Sequence, residues 1–206
     1  MSKKELLEKL KSEMEKDTKL PLRTSETNLV FGVGDPSADI LFVGEGPGYH
    51  EDRLGEPFVG NAGKLLDQLF RLINIPRESV YITNIVHHRP PENRDPEPNE
   101  IVAYGTYLNK MIEIIDPKVV VSLGRFSMAK FLPNVKISGV HGKRFDVNWK
   151  GKDIVVVPMY HPAAALRNGE VMRQEKEDFL KLPQILEQVK NEQKEVKKSV
   201  EQMNLI

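Results

Sequence analysis

The chain has 206 residues, 39% of them apolar and 29% charged, with acidic and basic side chains in equal number. These values fit one sizeable core in a soluble globular protein, and no apolar run approaches the ~20 residues of a membrane span. Cysteine is absent, which excludes disulfides, thiolate metal sites and a thiol nucleophile.

The opening MSKKELLEKLKSEMEK is charged throughout, unlike a signal peptide, so a cytoplasmic setting is the default expectation. Its apolar positions, Leu6, Leu7, Leu10 and Met14, predict an amphipathic helix over about residues 2–16. LPLRTSETN then reads as irregular chain. Four short runs follow, Ile40–Val43, Val80–Thr83, Val119–Leu123 and Ile154–Met159, each short and β-branched enough for a strand buried on both faces. Helical patterns at about 62–74, 98–115 and 125–132 alternate with them, which implies parallel pairing and an α/β layered fold. HHRPPENRDPEPNE is a proline-rich loop, long for a simple connection. SGVHGKRFDVNWKGKDIVVV adds a hairpin before the fourth core strand. Beyond about residue 173 the chain is helical, and residues 191–206 read as a charged helical or disordered tail to a domain spanning residues 1–190.

Ligands of open α/β sheets bind at the carboxyl ends of the strands. Here those ends carry Gly44-Glu45, Asn84, Gly124-Arg125 and His161. The loop after the first strand, GEGPGYHEDRLGEPFVGNAGKLL, has neither the Gly-Lys-Ser/Thr ending of a Walker motif nor the dinucleotide spacing. Its glycines Gly44, Gly46 and Gly48 admit a ligand close to the backbone or serve an ordinary strand-to-helix turn. Phe58, on a proline-stiffened turn, offers either a stacking face for a planar ring or a core side chain. Asn84 either recognises a ligand or caps a strand end, and His161 is either functional or structural. The basic residues Arg89, Arg94, Arg125, Lys143 and Arg144 are candidate phosphate contacts.

In order along the chain, GEGPG…EDRLGEPFVGNAGKLL, YITNIVHHRPPENRDPEPNEI, VVVSLGRFS and PMYHPAAALRN resemble the successive motifs of the family-4 uracil-DNA glycosylases. The likeness covers roughly residues 20–185. It implies a three-layer α/β/α sandwich around a central four-stranded, mainly parallel sheet. It also implies a DNA glycosylase without strand cleavage that flips uracil from single- or double-stranded DNA and hydrolyses its N-glycosidic bond. In that reading Gly44 and Gly46 wall the uracil pocket, Phe58 stacks on the base, and the Asn84 carboxamide complements uracil N3–H and O4. His161 donates to O2 as charge grows there, and Glu45 positions water or stabilises the sugar electrostatically. Leu166 fills the gap left by the flipped base, with Arg167 near phosphate. The expected form is a monomer.

In one respect the chain departs from that family. Its four iron–sulfur ligand positions fall at Asp17, Leu20, His88 and Tyr104, none a cysteine, so no cluster and no other cofactor is expected. Leu20 and Tyr104 suit apolar packing and His88 suits hydrogen bonding, while a zinc site from Asp17, His87 and His88 is the less favoured alternative because adjacent histidines chelate poorly. Three rival functions stay open: a non-catalytic binder of uracil or DNA on the same scaffold, a glycosylase with broader deaminated-base specificity, and a small-nucleotide-binding α/β protein.

Overall fold

A computed structural model describes residues 1–203. Six strands form one sheet: β1 (Val33–Gly34), β2 (Ile40–Gly44), β3 (Tyr81–Asn84), β4 (Val119–Leu123), β5 (Phe145–Trp149) and β6 (Lys152–Met159), in the order β1-β3-β2-β4-β6-β5. The four inner strands are the predicted ones and run parallel; β1 and β5 pair antiparallel at the two edges. The expected four-stranded sheet is therefore the centre of a six-stranded one. The hairpin forecast before the last core strand is β5–β6.

Side chains alternate across the sheet and build a core on each face. On one face Leu41, Val43, Val120 and Val156 pack against α1 (Lys3–Lys16) and α4 (Pro98–Ile115), through Leu10, Met14, Leu108 and Met111. On the other face Phe42, Val121 and Val157 meet α3 (Asn61–Leu72) and α8 (Gly169–Met203), through Leu66, Phe70, Phe179 and Leu182. This is the expected three-layer α/β/α sandwich.

Local chemistry starts the helices where the sequence places them. At α1 the Ser2 hydroxyl accepts from Glu5 N–H (3.2 Å) while the Glu5 carboxylate accepts from Ser2 N–H (2.7 Å), a reciprocal capping box. Pro98 opens α4, where its missing N–H costs nothing. Three short helices, α2 (Tyr49–Leu54), α6 (Ile137–Val140) and α7 (Pro162–Ala165), join them. The predicted helix 125–132 is shorter, with α5 at Arg125–Ala129, and α8 begins before residue 173, at Gly169. The charged tail continues α8 as far as Met203; its residues 204–206 lie outside the described ones. No helix among the described residues is long and apolar enough to cross a membrane.

Strand β2 has β3 on one side and β4 on the other. The chain thus reverses its direction of winding at β2, and a crevice opens beyond the carboxyl ends of β2 and β4.

Candidate active site

A cleft of about 690 Å³ lies at that crevice, lined from β2 by Glu45 and Gly46, from β3 by Asn84, from β4 by Gly124 and Arg125, and after β6 by Tyr160 and His161. The sheet alone brings these residues together, although 116 positions separate Glu45 from His161.

Asn84 ends β3 with 1% of its surface exposed, and its carbonyl Oδ1 is buried without a hydrogen-bond partner. A buried amide oxygen left open costs on the order of 1–3 kcal/mol, so the fold keeps this acceptor for something that enters the cleft. Gly44 is part of the same construction. A methyl built on it would collide with Asn84 Oδ1 and come within 2.6 Å of the Phe58 ring; the glycine contributes the space that these two side chains share.

Phe58 is buried and sits at φ 54°, a left-handed conformation that bulky residues avoid. Three contacts hold it there. Arg77 Nη2 donates to the carbonyls of Pro57 (2.8 Å) and Phe58 (3.2 Å), while its Nη1 is tied to Asp67 (2.8 Å). The Glu51 carboxylate accepts from the N–H groups of Val59 (3.0 Å) and Gly60 (2.8 Å). Gly63 in α3 leaves room for the Phe58 carbonyl, which any β-carbon there would overlap. The Phe58 ring lies near-parallel to His161, with 29° between planes and 5.5 Å between centroids.

His161 caps α7, its Nδ1 accepting from the N–H of Ala163 (3.2 Å). That bond leaves no proton on Nδ1, so the neutral ring carries its hydrogen on Nε2. Burial, seconded by the nearby Arg167 charge, pushes the imidazole pKa down to about 4. The site therefore holds a neutral hydrogen-bond donor at physiological pH. Glu45 faces the same space. Burial first, and then the negative charge of Asp95, raises its pKa, with Arg125 opposing them. A carboxylate with raised basicity and a neutral N–H donor thus share one cleft.

The basic residues fall into distinct groups. Arg94, Arg125 and Arg167 line the cleft. Arg94 is engaged by Glu100 at 2.6 and 2.9 Å, and Arg125 is paired with Asp95. Arg89 lies beside the rim, donating to Asn93 (2.8 Å). Leu166 follows α7, half exposed. Lys143 and Arg144 do not line the cleft: Lys143 donates to the Gly139 carbonyl (2.8 Å), and Arg144 is committed to Glu192 and Asp146 (2.7–2.8 Å). The Arg144 guanidinium is thus neutralised by Asp146, two residues on, and by Glu192, which sequence spacing gave no reason to place beside it.

Glu51, Arg77 and Asp95 take parts that the sequence did not reveal. A carboxylate within a glycine-rich turn was the only signal for Glu51. Arg77 had none, because its partners are carbonyls 19 and 20 residues away.

The sequence pattern of the Uracil DNA glycosylase superfamily matches residues 31–184, a span that holds every cleft residue named above. This chain belongs to that superfamily. It is 45% identical to the Type-4 uracil-DNA glycosylase of Sulfurisphaera tokodaii, across 87% of this chain and 84% of the other. The Type-4 enzymes of Archaeoglobus fulgidus (46%; 81% and 86% covered) and Thermotoga maritima (44%; 81% and 86% covered) are similarly close.

The positions expected to carry iron–sulfur ligands hold other chemistry. Leu20 and Tyr104 are buried in the α1/α4 core. His88 Nδ1 is 2.8 Å from the Tyr104 hydroxyl, and Asp17 accepts from the Tyr107 hydroxyl (2.8 Å). Thr83 donates to the Phe31 carbonyl (2.8 Å), so the His87 Nε2–H, 3.1 Å away, donates to Thr83. Packed carbon, a phenol and an imidazole fill the region, with no thiolate among them; these residues do not fit an iron–sulfur cluster. Nor is any group of three or more His, Cys, Asp or Glu among the described residues placed to hold a metal ion, which sets aside the Asp17–His87–His88 zinc site.

Proposed function

We propose that this protein is a uracil-DNA glycosylase that works without an iron–sulfur cluster. The observation carrying the proposal is the buried, unpartnered Asn84 Oδ1 in a cleft that also presents the Phe58 ring and the His161 Nε2–H. Uracil supplies N3–H to that oxygen and O4 to the amide N–H₂ of Asn84. Cytosine presents the reverse polarity and leaves both groups mismatched, an expensive arrangement in a buried site. The base enters the cleft only when flipped out of the stack, and Phe58 gives it a face to lie on.

In the chemical step the bond from C1′ to N1 breaks and its electron pair moves into the uracil ring toward O2. His161, neutral and already oriented, donates to that oxygen as its charge develops, without itself giving up a positive charge to the medium. Water adds to C1′ and loses a proton; Glu45, its basicity raised by burial and Asp95, orients that water and receives the proton. The departing uracil anion takes up a proton from solvent as Glu45 returns its own there, so the products are free uracil and an abasic site. Uracil-containing DNA, single- or double-stranded, is the substrate, and the Type-4 relatives act on the base that their names state.

The deciding test is single-turnover uracil release from a labelled oligonucleotide by chelator-treated protein, with alkaline cleavage revealing abasic sites. The expected result is robust release that falls in Asn84→Ala and by on the order of a hundredfold in His161→Ala. Tight binding without release would make the protein a non-catalytic binder. Competition by free nucleotides but not by uracil-DNA would favour the nucleotide reading.

A further inference from the structure

Tyr49 is a large aromatic side chain left 49% exposed at the edge of the cleft. Its neighbour Gly48 lines the cleft, as do Pro90 and Asn93 beside Arg89. The guanidinium carbons of Arg53 and Arg89 stand over the Tyr49 ring, 5.7 and 5.3 Å from its centre, and Arg53 donates to the Tyr49 hydroxyl (3.2 Å). Arg53 comes from α2 and Arg89 from the proline-rich loop, so the tyrosine joins the two lobes of the rim.

Charge separates these arginines from others nearby. Arg94 and Arg125 are matched by Glu100 and Asp95. Arg53 and Arg89 have no carboxylate partner among the described residues; what neighbours these two cations is a π-face and neutral acceptors. An exposed aromatic ring flanked by two uncompensated guanidiniums is the arrangement that binds an unpaired nucleotide, with the base on the ring and the phosphate on the cations.

We infer that Tyr49, Arg53 and Arg89 form a subsite for the nucleotide adjacent to the flipped one on the uracil strand. The inference rests on the glycosylase reading, because it is the flipped nucleotide in the cleft that carries its neighbour across this rim. Flipping also removes that neighbour's stacking partner, and Tyr49 replaces it.

The test is binding, by fluorescence anisotropy, to single-stranded oligonucleotides with a 2′-fluorinated deoxyuridine, whose glycosidic bond resists cleavage because the fluorine disfavours a cationic sugar. Each flanking position in turn carries a normal base or an abasic tetrahydrofuran. Wild-type protein is expected to lose about tenfold in affinity when one flank lacks its base, the size expected of one aromatic stack. Tyr49→Ala is expected to bind both oligonucleotides equally weakly, and Tyr49→Phe to retain the wild-type preference. Replacing Arg53 and Arg89 together by alanine is expected to flatten the salt dependence of log affinity by about 1.4 per decade of salt, the slope of two single-strand phosphates. A wild-type protein indifferent to both flanking bases, or a Tyr49→Ala variant that keeps the preference, would overturn the subsite. Uracil release from ordinary oligonucleotides is measured separately: its absence would sink the glycosylase reading while the flanking-base comparison still reports on Tyr49.

Discussion

Gly44, Asn84 and Phe58 compete for one volume, and that contact makes the base pocket a matter of single atoms. Gly44→Ala is expected to displace either the amide or the ring and to abolish detectable uracil release without unfolding the chain; a far-ultraviolet dichroism spectrum beside the activity assay checks both halves. Asn84→Asp is expected to lose at least a hundredfold on uracil and, once protonated, to gain weak release of cytosine at low pH, because its O–H and C=O then match cytosine N3 and N4. The acid limb of the rate belongs to Glu45, not His161. Glu45 must be ionised to take a proton from water, and its pKa lies above the usual carboxylate value, so activity falls as pH drops through that raised value. His161 stays neutral down to about pH 4. Glu45→Gln is therefore expected to lower the rate and remove the limb; a limb that persists in that variant would move the titration elsewhere. Asn84 and His161 were legible in the sequence because each stands at the carboxyl end of a strand, where the backbone direction decides which side chains converge.

At the scale of elements, the turn that carries Phe58 is held from outside itself. Arg77 binds two of its carbonyls and Glu51 binds two of its N–H groups, so the left-handed backbone at Phe58 is fixed by α2 and by the chain before β3. Removing Arg77's charge-assisted bonds in Arg77→Met is expected to cost about 1.5–3 kcal/mol, read as a lower denaturation midpoint, and to raise KM for uracil-DNA as the stacking face loosens. An unchanged KM would mean that Glu51 and Gly63 suffice. The four inner strands were visible in advance because β-branched runs buried on both faces leave a compositional trace, and α4 because Pro98 and Ile115 bound a long periodic stretch. Strand β1 left no such trace: Val33 and Gly34 owe their pairing to Ile82 and Tyr81 opposite them, not to their own preferences. Helix α2 was hidden by glycines at both ends. The ion pair of Arg144 was hidden for a similar reason, since Glu192 lies 48 residues away and only the packing of α8 brings it close.

Over the whole molecule, buried titratable groups set stability limits on both sides of neutrality. His87 and His88 are buried and neutral, with pKa values pushed down to about 3 and 4, burial being the first cause in each. Their contribution is complete above the unfolded value near 6.5 and is lost as pH falls from there toward the folded values. Glu175 acts in the opposite sense. Both its carboxylate oxygens are buried without partners, and burial, seconded by Asp178, raises its pKa to about 8. The folded state favours its protonated form, so this contribution is complete below the unfolded value near 4.5 and fades as pH rises toward 8. Glu175→Gln is expected to raise the melting temperature by several degrees at pH 8–9 and by little at pH 5, as thermal scans at the two pH values will show. The contact between His88 and Tyr104 has a further consequence for the cell that makes this protein. An imidazole against a phenol has no valence to change and no inorganic part to be delivered, so the loop that it anchors is finished as soon as the chain folds. On the cluster-free reading proposed above, iron starvation is expected to leave that anchor in place.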